Sequence, residues 1–117
     1  MKKIYYLSTC DTCKRIMAQL SPLEGFELQD IKAQGLDAGQ LETLKKGAGS
    51  YEALFNKRAR LYKERDLSSK NLGEADYKDL LLEHYTFLKR PVILVDGQLF
   101  VGNSATTVAA AKKAIHP

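Results

Sequence analysis

Cys10 and Cys13 are the only two cysteines in the 117-residue chain. They stand as Cys10-Asp11-Thr12-Cys13, directly after the apolar run Ile4-Tyr5-Tyr6-Leu7. A strand that ends in such a pair and opens a helix makes one of the two sulfurs a nucleophile. The unpaired N–H groups and positive dipole end of a helix start favour a thiolate over a thiol, and the thiolate is the form that attacks. Cys10 is then the attacking sulfur, and Cys13, one turn on, is placed to resolve a mixed disulfide. Two plainer uses of the pair stay open at this point: two small buried apolar side chains, or half of a zinc site. A structural zinc takes about four ligands, whereas the chain offers two Cys and two His, with His116 beside the C-terminus. Redox or thiolate chemistry without a metal is the reading the spacing favours.

Other residues bear on that chemistry. Lys14 and Arg15 lie within a turn of Cys10 and favour its thiolate, while Asp11 opposes them; the expected net is a depressed pKa. Ser8 and Thr9 read as residues that shape the cysteine loop, since a catalytic serine would need a base that the chain does not offer nearby. His84 reads as a hydrogen-bonded structural histidine, and the six tyrosines read as packing groups. Lys57, Arg58, Arg60, Lys63 and Arg65 form a basic cluster suited to an oxyanion or an acidic partner, or else a solvated helix face partly balanced by Glu64 and Asp66. The net charge of +4 is mild, and no nucleic-acid motif or base-stacking row accompanies the cluster.

The elements that must position the cysteines follow from periodicity. Residues 2–7 read as a buried strand. Residues 11–20 read as a helix, with Cys13, Ile16, Met17 and Leu20 on one face, stopped by Pro22 and Gly25. Residues 26–31 alternate with period two, a second strand. Asp37 caps a helix over 38–46 with Leu41 and Leu44 inward, and Gly47 and Gly49 make a loop. The stretch 50–88 has no strand pattern: a short capped helix at Ser50–Phe55, a basic segment 56–67 anchored by Leu61 and Tyr62, a turn at 71–73, and a helix over 76–82 with Tyr77, Leu80, Leu81 and His84 near one stripe. Arg90-Pro91 punctuates the chain. Val92–Val95 and Gln98–Val101 around Asp96-Gly97 are a hairpin, and a final helix spans 105–115. The order β-α-β, helices, β-β-α is the thioredoxin arrangement: an α/β fold with a small mixed four-stranded sheet and a helical insertion, about 37–88, between strand 2 and strand 3, in one domain over 1–117. Pro91, heading the third strand, would face the cysteine turn, and a cis bond there is plausible because X-Pro is where cis bonds occur.

These residues together resemble the arsenate reductase (ArsC)/Spx family of thioredoxin-fold proteins. Ser8-Thr9-Cys10-Asp11-Thr12-Cys13-Lys14 resembles the family's active-site loop. Glu83-His84 followed by Phe87-Leu88-Lys89-Arg90-Pro91-Val92-Ile93 resembles its H-P-x-L-x-x-R-P-[IV]-[IV] signature. Val101-Gly102 resembles the V-G after the hairpin, and Asn56-Lys57-Arg58 the N-T-R element of the insertion. For the reductase branch the resemblance implies that Cys10 attacks arsenate and forms a covalent adduct, that arginines hold the oxyanion, and that glutathione with glutaredoxin reduces the adduct. Arg90 matches one such arginine and would offer bidentate donors, which lysine cannot. Cys10 and Cys13 are the expected catalytic pair, with Arg90, Arg58, Lys14, Thr12 and Pro91 as oxyanion or substrate contacts.

The chain also departs from the reductase pattern. Asn56 stands where the reductases carry an arginine, with Arg58 two residues on. Val101-Gly102 occupies the place of another. Cys13 stands where serine is usual, and Tyr85 replaces a proline. The C-x-x-C, the placement of Arg58 and Val101-Gly102 resemble Spx, a thiol-switch regulator that binds the RNA polymerase alpha subunit. Two functions of different class follow: a thiol-dependent oxidoreductase acting on an oxyanion or a glutathione-linked substrate, favoured because Cys10, Arg90 and Pro91 are all present, or an Spx-like redox regulator. No bound cofactor is expected, with glutathione as reductant and glutaredoxin or thioredoxin as partner. The chain has no apolar run long enough for a membrane span and opens Met1-Lys2-Lys3-Ile4 without a signal-peptide core, so a cytoplasmic protein is expected.

Overall fold

A computed structural model describes residues 1–117. The chain divides into two compact units, Met1–Gln34 with Arg90–Pro117, and Gly35–Lys89.

The first unit holds a four-stranded mixed sheet: β1 (Lys2–Tyr6), β2 (Glu27–Asp30), β3 (Val92–Val95) and β4 (Gln98–Val101), in the order β2-β1-β3-β4. β1 runs parallel to β2 and antiparallel to β3, with Tyr5 opposite Val92. β3 and β4 form the hairpin expected of Asp96-Gly97, where φ is 46° and 90°. Positive φ at both central residues is the type I′ geometry that matches strand twist. Two helices of this unit, α1 (Asp11–Leu20) and α5 (Ala105–Ile115), bury one face of the sheet. Ile4, Ile93 and Val95 meet Ile16 and Leu20 of α1 and Ala111 of α5. Ser104 caps α5 by accepting the Thr107 N–H at 3.2 Å. His116, just past α5, bonds through Nε2 to the Leu20 carbonyl at 2.8 Å.

β2 departs from its sequence pattern in a useful way. The alternation does mark a strand, but the buried side is the polar one: Leu28 is 47% exposed and Gln29 only 4%. Leu28 pairs with Ile4 in register, yet β2 is an edge strand and Leu28 lies outside the apolar cluster over β1 and β3. Gln29 is accommodated because its Nε2 donates to the Gln34 carbonyl at 3.1 Å, as a buried amide requires.

The second unit is helical: α2 (Ala38–Ala48), α3 (Arg60–Glu64) and α4 (Glu74–Glu83), with one-turn helices at Glu52–Leu54, Leu67–Ser69 and Tyr85–Phe87. Asp37 and Gln40 close a capping box on α2. α2 runs through Gly47 and ends at Gly49, where φ is 96°, so the expected loop begins two residues later than the glycines suggest; of these two glycines, Gly49 alone uses the left-handed freedom. α4 begins at Glu74, earlier than the apolar stripe, because Asp76 accepts the Gly73 N–H at 2.8 Å. His84 lies past the end of α4 and accepts the Thr86 N–H at 3.0 Å, a structural role. The unit packs on Phe55, which stacks on Phe87 at 5.2 Å and meets Tyr77 and Tyr62 at 4.9 and 5.7 Å. Leu61 and Tyr62 are half-buried, and the deeper anchors of the basic segment are Ala59 and Leu67. Much of that segment's charge is paired: Lys57 with Glu52, Arg65 with Glu83, Arg60 with Glu64.

No helix is long and apolar enough to cross a membrane.

The two kinds of apolar position in the sheet should separate in unfolding experiments. Ile93→Ala should cost about 2–5 kcal/mol in urea titration, whereas Leu28→Thr should stay within about 0.5 kcal/mol. Comparable losses at both positions would contradict the edge placement of Leu28.

Candidate active site

The site is built where β1 stops and α1 starts. Cys10 occupies the N-cap position of α1 in an extended conformation, with φ −99° and ψ 112°. Its N–H donates to the Leu7 carbonyl at 3.0 Å, closing a turn over Leu7–Cys10, and its own carbonyl accepts the Lys14 N–H at 3.2 Å, the first bond of the helix. No side chain closes the cap, so the orphan N–H groups of the first turn, Asp11, Thr12 and Cys13, face the sulfur's end of the helix.

The two thiols differ. Cys10 is half-buried and Cys13 is 0% exposed. Partial burial by itself would raise the Cys10 pKa, but hydrogen bonds from the Cys13 backbone and thiol, together with a bond and the charge of the Arg90 guanidinium, hold it below the ordinary thiol value. Burial pushes the Cys13 thiol up to about 11, and the negative charge on Cys10 adds to the rise, against opposing donation from the Leu7 backbone and the Arg90 charge. The pair is therefore asymmetric: Cys10 ionises more readily than an ordinary thiol, and Cys13 less readily. Arg90 reaches this point from the residue before β3, and the peptide bond joining it to the buried Pro91 is cis.

The source of the charge differs from expectation. Sequence proximity assigns it to Lys14 and Arg15, which are exposed on α1. The largest cationic contribution at Cys10 comes from Arg90, distant in sequence and delivered by β3. Helix geometry is the reason: residues four and five positions past the N-cap lie beyond the first turn, whose open N–H groups face Cys10. Of the expected site residues, Cys10, Cys13, Thr12, Lys14, Arg90 and Pro91 belong to the first unit. Thr12 is half-buried in the first turn, and Lys14 is exposed. Arg58 belongs to the second unit, exposed ahead of α3, with its N–H donating to Asn56 Oδ1 at 3.0 Å.

One contact at the base of the cysteine turn comes from a residue the sequence did not single out. Asp30, the last residue of β2, accepts the Ser8 N–H on Oδ1 at 3.2 Å. The available signal was positional: an acidic residue ending the strand parallel and adjacent to the one that delivers the nucleophile. No group of three or more His, Cys, Asp or Glu residues is placed to hold a metal ion.

The ArsC family profile matches residues 5–111. An uncharacterized protein of Haemophilus influenzae is 32% identical over 104 residues, covering 87% of this chain and 90% of its own. The solution structure of an arsenate reductase (ArsC) related protein from Brucella melitensis is 30% identical, with a TM-score of 0.71 over 93% of this chain and 92% of that one. An arsenate reductase from Vibrio cholerae shares the fold with a TM-score of 0.75 over 94% of this chain and 96% of that one, at 24% identity.

Limiting iodoacetamide followed by peptide mass spectrometry should modify Cys10 before Cys13, and the midpoint of its pH–rate profile should lie below that of an ordinary thiol. Arg90→Gln removes one of the groups that lower the pKa, so it should move that midpoint upward. Preferential labelling of Cys13 would reverse the assignment.

Proposed function

The chain belongs to the ArsC family, and on that premise we propose that it is a thiol-dependent oxidoreductase in which Cys10 attacks a small oxyanion, arsenate or one like it, or a glutathione-linked substrate. The observation that carries this reading is the Arg90 guanidinium acting on the Cys10 sulfur at the start of α1. One planar cation both favours the thiolate and presents paired N–H donors to an anion arriving at it. Thr12 and Lys14, in and just after the first turn, are proposed as further substrate contacts, with Pro91 shaping the opposite wall.

With arsenate, the Cys10 thiolate attacks arsenic, an S–As bond forms, and an oxygen leaves as water after protonation. A second thiolate then attacks the Cys10 sulfur. The electron pair of the S–As bond stays on arsenic, which passes from pentavalent to trivalent and departs as arsenite, and the two sulfurs become a disulfide. The second thiol is glutathione, or Cys13 after it loses its proton. Glutathione with glutaredoxin, or thioredoxin in its place, returns Cys10 to the thiol. A cytoplasmic setting supplies such reductants.

The contact between the Cys13 thiol and Cys10 also favours a second reading, an Spx-like switch in which a Cys10–Cys13 disulfide governs binding to the RNA polymerase alpha subunit. Oxidation-dependent co-purification with that subunit, in a protein that turns over no oxyanion, would select it.

Turnover of arsenate with glutathione and glutaredoxin should be measurable and should vanish in Cys10→Ser; equal rates in the two proteins would refute the nucleophile. A charge-assisted bond to an oxyanion is worth roughly 1.5–3 kcal/mol. Arg90→Lys should therefore weaken the protection that sulfate gives Cys10 against alkylation by about tenfold or more. Equal protection in both proteins, or none in either, would remove the oxyanion from the site.

A further inference from the structure

The Cys10 sulfur is delivered by a turn, Leu7–Cys10, that has one internal backbone bond, from the Cys10 N–H to the Leu7 carbonyl at 3.0 Å. A turn so lightly bonded takes its conformation from outside contacts. Asp30 supplies a set of them. Its Oδ1 accepts the Ser8 N–H at 3.2 Å and the Lys32 N–H at 3.2 Å, and the Ser8 hydroxyl donates to the same carboxylate. The parallel pairing of β1 with β2 brings it there: Tyr6 stands opposite Asp30, and the Ile31 N–H donates to the Tyr6 carbonyl at 2.9 Å. The sheet thus ends with a carboxylate bonded both to the loop that leaves β2 and to the turn that leaves β1.

We infer that Asp30 is a positioning residue for the nucleophile: its carboxylate clamps Ser8, two residues before Cys10, and so fixes the turn that aims the Cys10 sulfur at the Cys13 N–H and at Arg90. The inference rests on the reading of Cys10 as the reactive thiol and does not depend on the substrate. Asp30 acts through Ser8 and needs no contact with the reacting atoms.

Two effects of Asp30 on Cys10 have opposite signs, which makes the role testable. As a nearby negative charge, Asp30 disfavours the thiolate, so removing the charge alone would lower the Cys10 pKa. As a clamp, it holds the sulfur against its donors, so releasing the clamp would raise the pKa. The groups that face the sulfur, Cys13 from α1 and Arg90 from the lead into β3, are unchanged in either case.

The experiment is the pH–rate profile of iodoacetamide alkylation at Cys10 in wild type, Asp30→Ala, Asp30→Asn and Ser8→Ala, with urea unfolding of each. Asp30→Ala should move the midpoint upward and slow alkylation at neutral pH by about threefold or more. Asp30→Asn keeps the Oδ1 that takes both backbone donors and removes only the charge, so its midpoint should lie at or below that of wild type. Ser8→Ala, which loses the hydroxyl bond alone, should move the midpoint upward by less than Asp30→Ala. A midpoint in Asp30→Ala that is unchanged or lowered would overturn the inference, as would equal displacement in Asp30→Asn and Asp30→Ala. Should Asp30→Ala fail to fold, a Ser8→Ala profile identical to wild type, or an Asp30→Asn midpoint displaced upward, would overturn it equally. Alkylation requires neither oxyanion nor reductant, so absence of arsenate turnover leaves this result intact; first labelling of Cys13 in wild type would instead remove the reading on which it rests.

Discussion

The antiparallel pairing of β1 with β3 is the constraint on which the site depends. It places the end of β1, where Cys10 follows, beside the beginning of β3, where Arg90 precedes the strand. With Tyr5 opposite Val92, both chains leave the sheet at the same edge, and residues eighty apart in sequence act on one sulfur. The strands keep that register because α1 and α5 pack on Ile4 and Ile93: a slip by one residue would turn these side chains away from the helices and bring Lys3 and Leu94 in. The packing of a small apolar cluster therefore fixes the geometry of a polar pair.

The asymmetry of the two cysteines follows from the same arrangement. Both belong to the start of α1, yet Cys13 lies on the face that packs into the protein and Cys10 on the cap that faces its edge. Burial disfavours a charged sulfur at Cys13, whereas at Cys10 the open helix start and Arg90 outweigh a milder burial. A single helix turn thus yields one thiol disposed to ionise and one disposed to donate. The β2 strand contributes from the other side, where its pairing with β1 puts a carboxylate against Ser8.

The sequence by itself determined what local rules can carry. The spacing Cys10-x-x-Cys13 after an apolar run set the strand, the turn and the start of α1, whose bounds at 11–20 are those of the structure. Asp96-Gly97 set the hairpin, because few residues tolerate positive φ at two successive positions. Asp37 marked a helix start because its side chain satisfies an orphan N–H group. From these elements the order of the fold followed, and with it the family. What the tertiary structure alone decided is everything that depends on a partner far along the chain. Gln29 is buried and Leu28 exposed because cover at a sheet edge comes from what packs there, not from the alternation within β2. α2 continues through Gly47 because helix ends follow the cap, and the cap is Gly49. The largest cationic contribution at Cys10 comes from Arg90 rather than Lys14 or Arg15, and the clamp on its turn is Asp30, because β3 and β2 flank β1. Periodicity reports which residues share a face, whereas electrostatics and hydrogen bonding depend on distance in space, and only the pairing of strands converts one into the other.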